Sequence, residues 1–247
     1  MSLSYSQGKK EEVAERFSNV FRQIIFLIIP ISLLMFLLRA QIVRIILGKG
    51  QFGWVDTQLT AACLGMFSIG IAAYGLSLLI NKTFYTFHNT KIPALITLIT
   101  IGLNIFLSYF FIWILSFENF FQKNLISFLD LQGIEENLVI GLPLALAISG
   151  IFQCLILTLI IYKKLESLDI KELIIFGLKI LIASGLLVIV SLISIRFSAN
   201  FVDMQKFWGV FLQTIISSAI GLAVYGGVSL AFGLKEFQAI KKLIIRN

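Results

Sequence analysis

Long apolar blocks separated by short polar segments set the pattern of this chain. The blocks fall at about 20–47, 57–84, 93–116, 138–162, 173–197 and 207–233. As a helix, each is long enough to cross a hydrocarbon core of about 30 Å, which takes about 20 apolar residues. Lipid offers no water to backbone N–H and C=O groups, so only helices or closed barrels span it. The blocks are continuously apolar rather than alternating, and this selects helices. The pattern predicts an all-α, polytopic membrane helix bundle of six transmembrane helices.

The polar segments divide the blocks into groups. Residues 1–22 are polar and amphipathic, without the apolar centre of a signal peptide, and read as a cytoplasmic connector. A lobe of four membrane helices follows at 23–162, then a two-helix appendix at 163–233 and a basic tail at 234–247. Pro30 lies near the middle of the first block, where its missing N–H predicts a kink. Pro143 falls in the first turns of the fourth block, a tolerated position. The connector at 117–137, FENFFQKNLISFLDLQGIEEN, mixes aromatic and acidic residues and predicts a short helix lying in the interface.

Composition agrees with this reading. Hydrophobic residues make up 58% of the chain and charged residues 13%, about half the charged share of a soluble domain. The net charge of +7 does not point to nucleic acid, because Lys and Arg cluster beside the ends of the apolar blocks. There they report topology and contact with anionic headgroups. Their excess before Val20, around Lys82 and Lys91, from Lys163 to Lys171 and in the tail places both termini in the cytoplasm. Cys63 and Cys154 lie inside apolar blocks as small hydrophobes. No zinc-ligand spacing occurs, and neither a metal nor another cofactor is expected.

The candidate chemistry is sparse. All 13 acids sit in connectors or at block ends, so the spans hold no buried carboxylate relay. The single histidine, His88, lies in a polar turn, and no nucleophile–base pair suggests an enzyme. Arg39 and Arg44, late in the first block, either hold a phosphate by paired hydrogen bonds or snorkel to headgroups. Lys82, and likewise Lys179 in the fifth block, either meet an anionic headgroup entering from the cytoplasm or snorkel. Asn104 and Ser108, four apart, share one face of the third helix. With the deep amides Gln153 and Gln213, they serve as interhelical hydrogen-bond partners or as part of a substrate path. Ala219, Ala223, Gly227 and Ala231 recur every four residues. That stripe allows close packing against the fifth helix, or frames a lipid-facing groove for an acyl or prenyl chain.

Several segments, in order, resemble the MurJ (MviN) family of lipid II flippases, within the MOP exporter superfamily. They are SLS at 2–4, IVRIILGKGQF at 42–52, Asp56 with Thr57 and Ala61, KTFYTFHNTKIP at 82–93, Asn104, GLPLALAIS at 141–149 and GLKEF at 233–237. The resemblance implies a MOP/MATE-like fold, of which this sequence matches about helices nine to fourteen of fourteen. It implies lipid II translocation by alternating access of two lobes, with a lipid-linked substrate of the undecaprenyl-diphosphate type. It also implies residence in the bacterial inner membrane, membrane lipids as surroundings and an N-terminal lobe as partner. The family's essential arginines and acids lie mainly in helices outside this sequence. Its described sodium site pairs an asparagine with an aspartate four residues on, and here those positions hold Asn104 and Ser108. His88 and Asn89 also depart from the family's acidic approach to the following turn. The groove assigned to the prenyl tail would fall to the fifth and sixth helices. A related polysaccharide or drug exporter, or an inactive remnant, are the alternative readings.

Overall fold

The computed structural model describes residues 10–48, 52–134, 137–165, 170–201 and 206–237. The apolar blocks form α1 (Lys10–Leu37), α3 (Trp54–Thr86), α4 (Lys91–Leu115), α6 (Gly141–Lys164), α7 (Ile170–Ser198) and α8 (Phe207–Ala231). Two shorter helices, α2 (Arg39–Leu47) and α5 (Phe120–Leu129), and a 3₁₀ turn at Asn137–Ile140 connect them. Among the described residues, six helices are long and apolar enough to cross a membrane. Their outer faces carry large apolar side chains, among them Leu98 (70% exposed), Phe106 (65%) and Ile193 (61%). A surface of this kind is stable against lipid or other helices and not against water.

Two boundaries differ from the sequence expectation. The connector expected at 1–22 is helical from Lys10 and continuous with the first span, with Val13, Ala14 and Phe17 buried. Its residues 1–9 lie outside the described residues. The first span also does not run on to Leu47. The helix passes Pro30 unbroken and stops at Leu38, whose φ of −95° and ψ of 15° start the separate helix α2. The expected short helix of the connector is α5.

Local chemistry accounts for the ends. Asp56 accepts from the Gly53 N–H at 2.8 Å, and Asn119 accepts from the Gln122 N–H at 2.7 Å, starting α3 and α5. Three ends close alike. The N–H of Asn89 reaches the Phe84 carbonyl, that of Leu131 reaches Ile126, and that of Leu234 reaches Ser229. Each is the six-to-one bond of a Schellman motif, with His88 (φ 52°), Asp130 (φ 58°) and Gly233 (φ 65°) in the left-handed position.

The chain forms two compact units, Met1–Leu34 with Ile161–Asn247, and Met35–Ile160. Spatial grouping thus puts most of α1 with α7 and α8, whereas order along the chain grouped the first span with the next three. In the Met35–Ile160 unit, the end of α5 and the loop after it fold onto α3. Ala62, Met66, Leu129, Leu131, Ile134 and Ile140 form that core. In the other unit, α7 and α8 pack along their length.

Candidate functional site: a neutral polar cleft

Polar side chains of α4 and α6 meet inside the Met35–Ile160 unit. Asn104 Nδ2 donates to Ser149 Oγ at 3.3 Å, and Ser149 Oγ donates to the Leu146 carbonyl at 3.0 Å. Two turns away along α4, Gln153 Nε2 donates to Thr97 Oγ1 at 3.1 Å. From α3 the Tyr74 hydroxyl also donates to the Leu146 carbonyl, at 3.0 Å. Close approach makes this meeting possible, because a Cβ on Gly150 would lie 2.7 Å from the Tyr74 ring. Such bonds fix helix register where lipid offers no competing water.

A cleft of about 470 Å³ opens beside this cluster, lined by Asn104, Ile105, Ser108, Tyr109, Ile112 and Leu142. Its polar groups are one amide and two hydroxyls, so it presents hydrogen-bonding capacity without formal charge. With one amide donor of Asn104 engaged by Ser149, its second N–H and its carbonyl oxygen remain. Among the described residues no three His, Cys, Asp or Glu side chains cluster.

The structure brings some of the candidates together and disperses others. Asn104, Ser108 and Gln153 belong to this one region of α4 and α6. Arg39 and Arg44 do not line the cleft. Arg39 donates to the Phe36 carbonyl at 3.0 Å and its guanidinium lies 4.9 Å from the centre of the Phe36 ring. Arg44 lies 5.6 Å from the centre of the Trp54 ring. Both are half-buried, with their guanidinium groups over aromatic rings. Lys82 is exposed near the end of α3, and His88 is an exposed turn residue.

The stripe of Ala219, Ala223, Gly227 and Ala231 is exposed along its whole length and is not the packing face of α8. That face is a parallel stripe starting at Gly209 and continuing through Gln213, Ser217, Gly221, Tyr225 and Ser229, all buried. Gln213 Nε2 donates to the Ile195 carbonyl at 2.9 Å, and Ser191 Oγ donates to the Ser217 carbonyl at 3.2 Å. A Cβ on Gly221 would lie 2.2 Å from Ser191 Oγ. Both stripes share the period of four, but only the buried one pairs small residues with hydrogen-bonding ones. That pairing is the signal the sequence offered. Tyr74, Thr97 and Ser149 were also missed as partners, although Ser149 and Gln153 are four apart, as are Asn104 and Ser108.

Six apolar helices among the described residues, each long enough to cross a membrane and joined by short segments, define a multi-pass membrane protein. A family model described as "Lipid II flippase MurJ" matches residues 1–217. The chain belongs to the lipid II flippase MurJ family. It is 24% identical over 229 residues to a probable lipid II flippase MurJ of Buchnera aphidicola subsp. Acyrthosiphon pisum, covering 92% of this chain and 39% of that protein. It is 26% identical over 103 residues to a probable lipid II flippase MurJ of Bdellovibrio bacteriovorus, covering 42% of this chain and 20% of that protein. A protein of the same description from Rhizobium tropici is 28% identical over 108 residues, again 20% of its own length. The chain therefore spans well under half the length of these relatives.

Proposed function

We propose that this chain is part of a lipid II flippase. In this reading it carries an undecaprenyl-diphosphate-linked precursor from the cytoplasmic to the periplasmic leaflet of a bacterial inner membrane. It is a transporter rather than an enzyme, and both termini face the cytoplasm. The observation that carries the reading is the family match over residues 1–217. The partner is a set of further membrane helices equivalent to the family's N-terminal lobe, against which this part moves in alternating access.

The residues divide the work as follows. Asn104, Ser108 and Tyr109 offer uncharged hydrogen-bonding groups to the polar head, while Gln153 and Thr97 brace α4 against α6. Arg39 and Arg44, their guanidinium groups against aromatic faces, meet the diphosphate at the periplasmic end of the path. Lys82 draws anionic headgroups to the membrane surface. The exposed face of Ala219, Ala223, Gly227 and Ala231 gives the prenyl chain a shallow apolar groove.

The test is rescue of bacterial cells depleted of their own lipid II flippase. The chain is co-expressed with the N-terminal lobe of a family member, and insertion of both is verified. Restored growth and cell-wall synthesis is the expected result. Lysis despite stable insertion would refute the proposal.

A further inference from the structure

A second cleft, of about 180 Å³, lies in the unit built from α1, α7 and α8. Its construction starts at Gly233, whose positive φ turns the chain back after α8. The turn leaves the Phe232 carbonyl at the helix C-terminus, where Lys179 Nζ of α7 donates to it at 3.2 Å. It also brings Lys235 and Glu236 to the cleft wall. From α1, Arg22 donates to Glu172 Oε1 through Nη1 at 3.0 Å and Nη2 at 2.5 Å, and its guanidinium lies 5.3 Å from the Phe176 ring centre. Arg22 Nε is buried, makes no hydrogen bond among the described residues and stands 3.8 Å from Glu236 Oε1.

Three cations thus meet two carboxylates around one space. Lys179 has two ammonium N–H groups beyond the one given to Phe232, and Lys235 is exposed. Glu172 and Glu236 orient Arg22 and offset two of the positive charges. The surplus of a single charge suits a singly charged phosphodiester better than a free phosphate dianion or a diphosphate. The volume is several times the roughly 30 Å³ occupied by one water, enough for a phosphate group.

The walls identify the source of that phosphate. Ile175 and Leu234 line the cleft, and exposed Leu178, Ile182 and Ile189 continue from Ile175 along the outer face of α7. The apolar stretch between Lys179 and Arg196 spans roughly 24 Å at 1.5 Å per residue, less than the hydrocarbon thickness. Both side chains therefore reach out to the headgroup layer. We propose that Arg22, Lys179 and Lys235 form a seat for the phosphodiester of a membrane phospholipid, whose acyl chains lie against α7. The seat is separate from the Asn104 cleft and does not depend on the transport reading.

The experiment is native mass spectrometry of the full chain in detergent, titrated with phosphatidylglycerol, with diacylglycerol or with inorganic phosphate. The comparison is with a Lys179→Gln/Lys235→Gln variant, single Lys235→Gln, and Lys91→Gln on the other unit as control. Removing two cations near headgroups is expected to lower phosphatidylglycerol retention about tenfold. Lys235→Gln, at an exposed position, lowers it by a smaller factor, Lys91→Gln leaves it unchanged, and Lys179→Arg/Lys235→Arg restores it. Diacylglycerol and inorganic phosphate do not compete. Equal retention by wild type and Lys235→Gln would overturn the seat even if the double variant misfolds. Full competition by inorganic phosphate would overturn its assignment to a lipid.

Discussion

The Tyr225 hydroxyl donates to the Phe26 carbonyl at 2.7 Å, with the two rings 5.2 Å apart. Phe26 is the residue whose carbonyl would accept the helical N–H of residue 30, and Pro30 has none. A side chain from α8 therefore completes the hydrogen bonding of α1, and the helix runs through its proline without a break. The bond also ties the first helix to the last one described. Tyr225→Phe is expected to lower stability in detergent by about 1 kcal/mol, since a buried acceptor is left unpaired. In a Pro30→Ala background, where the helical donor returns, the same change should cost close to nothing. Chemical denaturation of the four proteins of this cycle measures it, and equal costs in both backgrounds would dissociate Tyr225 from Pro30.

The contact between α7 and α8 gives a second prediction. A methyl group on Gly221 displaces Ser191 Oγ, which donates to the Ser217 carbonyl. Gly221→Ala should therefore cost about 1–2 kcal/mol, and adding Ser191→Ala should recover most of the steric part. Ala223→Leu, on the exposed stripe, should change stability by less than about 0.5 kcal/mol. Thermal unfolding followed by circular dichroism compares the three, and a larger loss for Ala223→Leu than for Gly221→Ala would reverse the assignment of faces.

His88 occupies a left-handed backbone position that glycine adopts without strain. Its side chain is exposed, so replacement removes little packing. His88→Gly is expected to raise stability by roughly 0.5–1 kcal/mol, and His88→Val to lower it by a similar amount. Melting temperatures in one detergent decide the sign. A destabilised glycine variant would show that the imidazole contributes more than the backbone strain costs.

For the cleft, Asn104→Leu keeps the volume and removes the amide. If the cleft lies in the substrate path, the variant should slow translocation about tenfold, the equivalent of one hydrogen bond made in passage. Its stability should fall by about 0.6 kcal/mol, through loss of the Ser149 bond. Ser149→Ala provides the comparison, because it removes the brace and leaves the Asn104 amide. Equal transport by Asn104→Leu and wild type would take the cleft out of the path.

Block length and continuity made the six helices legible, because the bilayer imposes its thickness on the sequence directly. What escaped was tertiary. Pro30 signalled a kink, and nothing local revealed that a tyrosine almost two hundred positions later would supply the missing donor. The break at Leu38 carries no glycine or proline to mark it. His88 and Asp130 end helices in conformations that sequence reading assigns first to glycine, and only Gly233 fits that rule. In α8 the small-residue period was visible but its phase was not. Ala219, Ala223, Gly227 and Ala231 form the more obvious stripe, yet Gln213, Ser217 and Gly221 face α7, because there Gln213 and Ser217 hydrogen-bond across the contact while Gly221 allows close approach. Of the candidate site, Asn104, Ser108 and Gln153 were readable as deep polar groups. Arg39 and Arg44 could not be placed until Phe36 and Trp54 were seen beneath them.

The central claim is that this chain forms part of a machine that carries lipid II across the membrane. The most direct measurement is the leaflet position of lipid II in cells depleted of their own flippase, read by cleavage with a lipid II-hydrolysing toxin added from outside. Cells expressing this chain with the N-terminal lobe of a family member should yield the cleaved product, and cells expressing either part alone should not. Intact lipid II in all three, with both parts inserted, would contradict the claim.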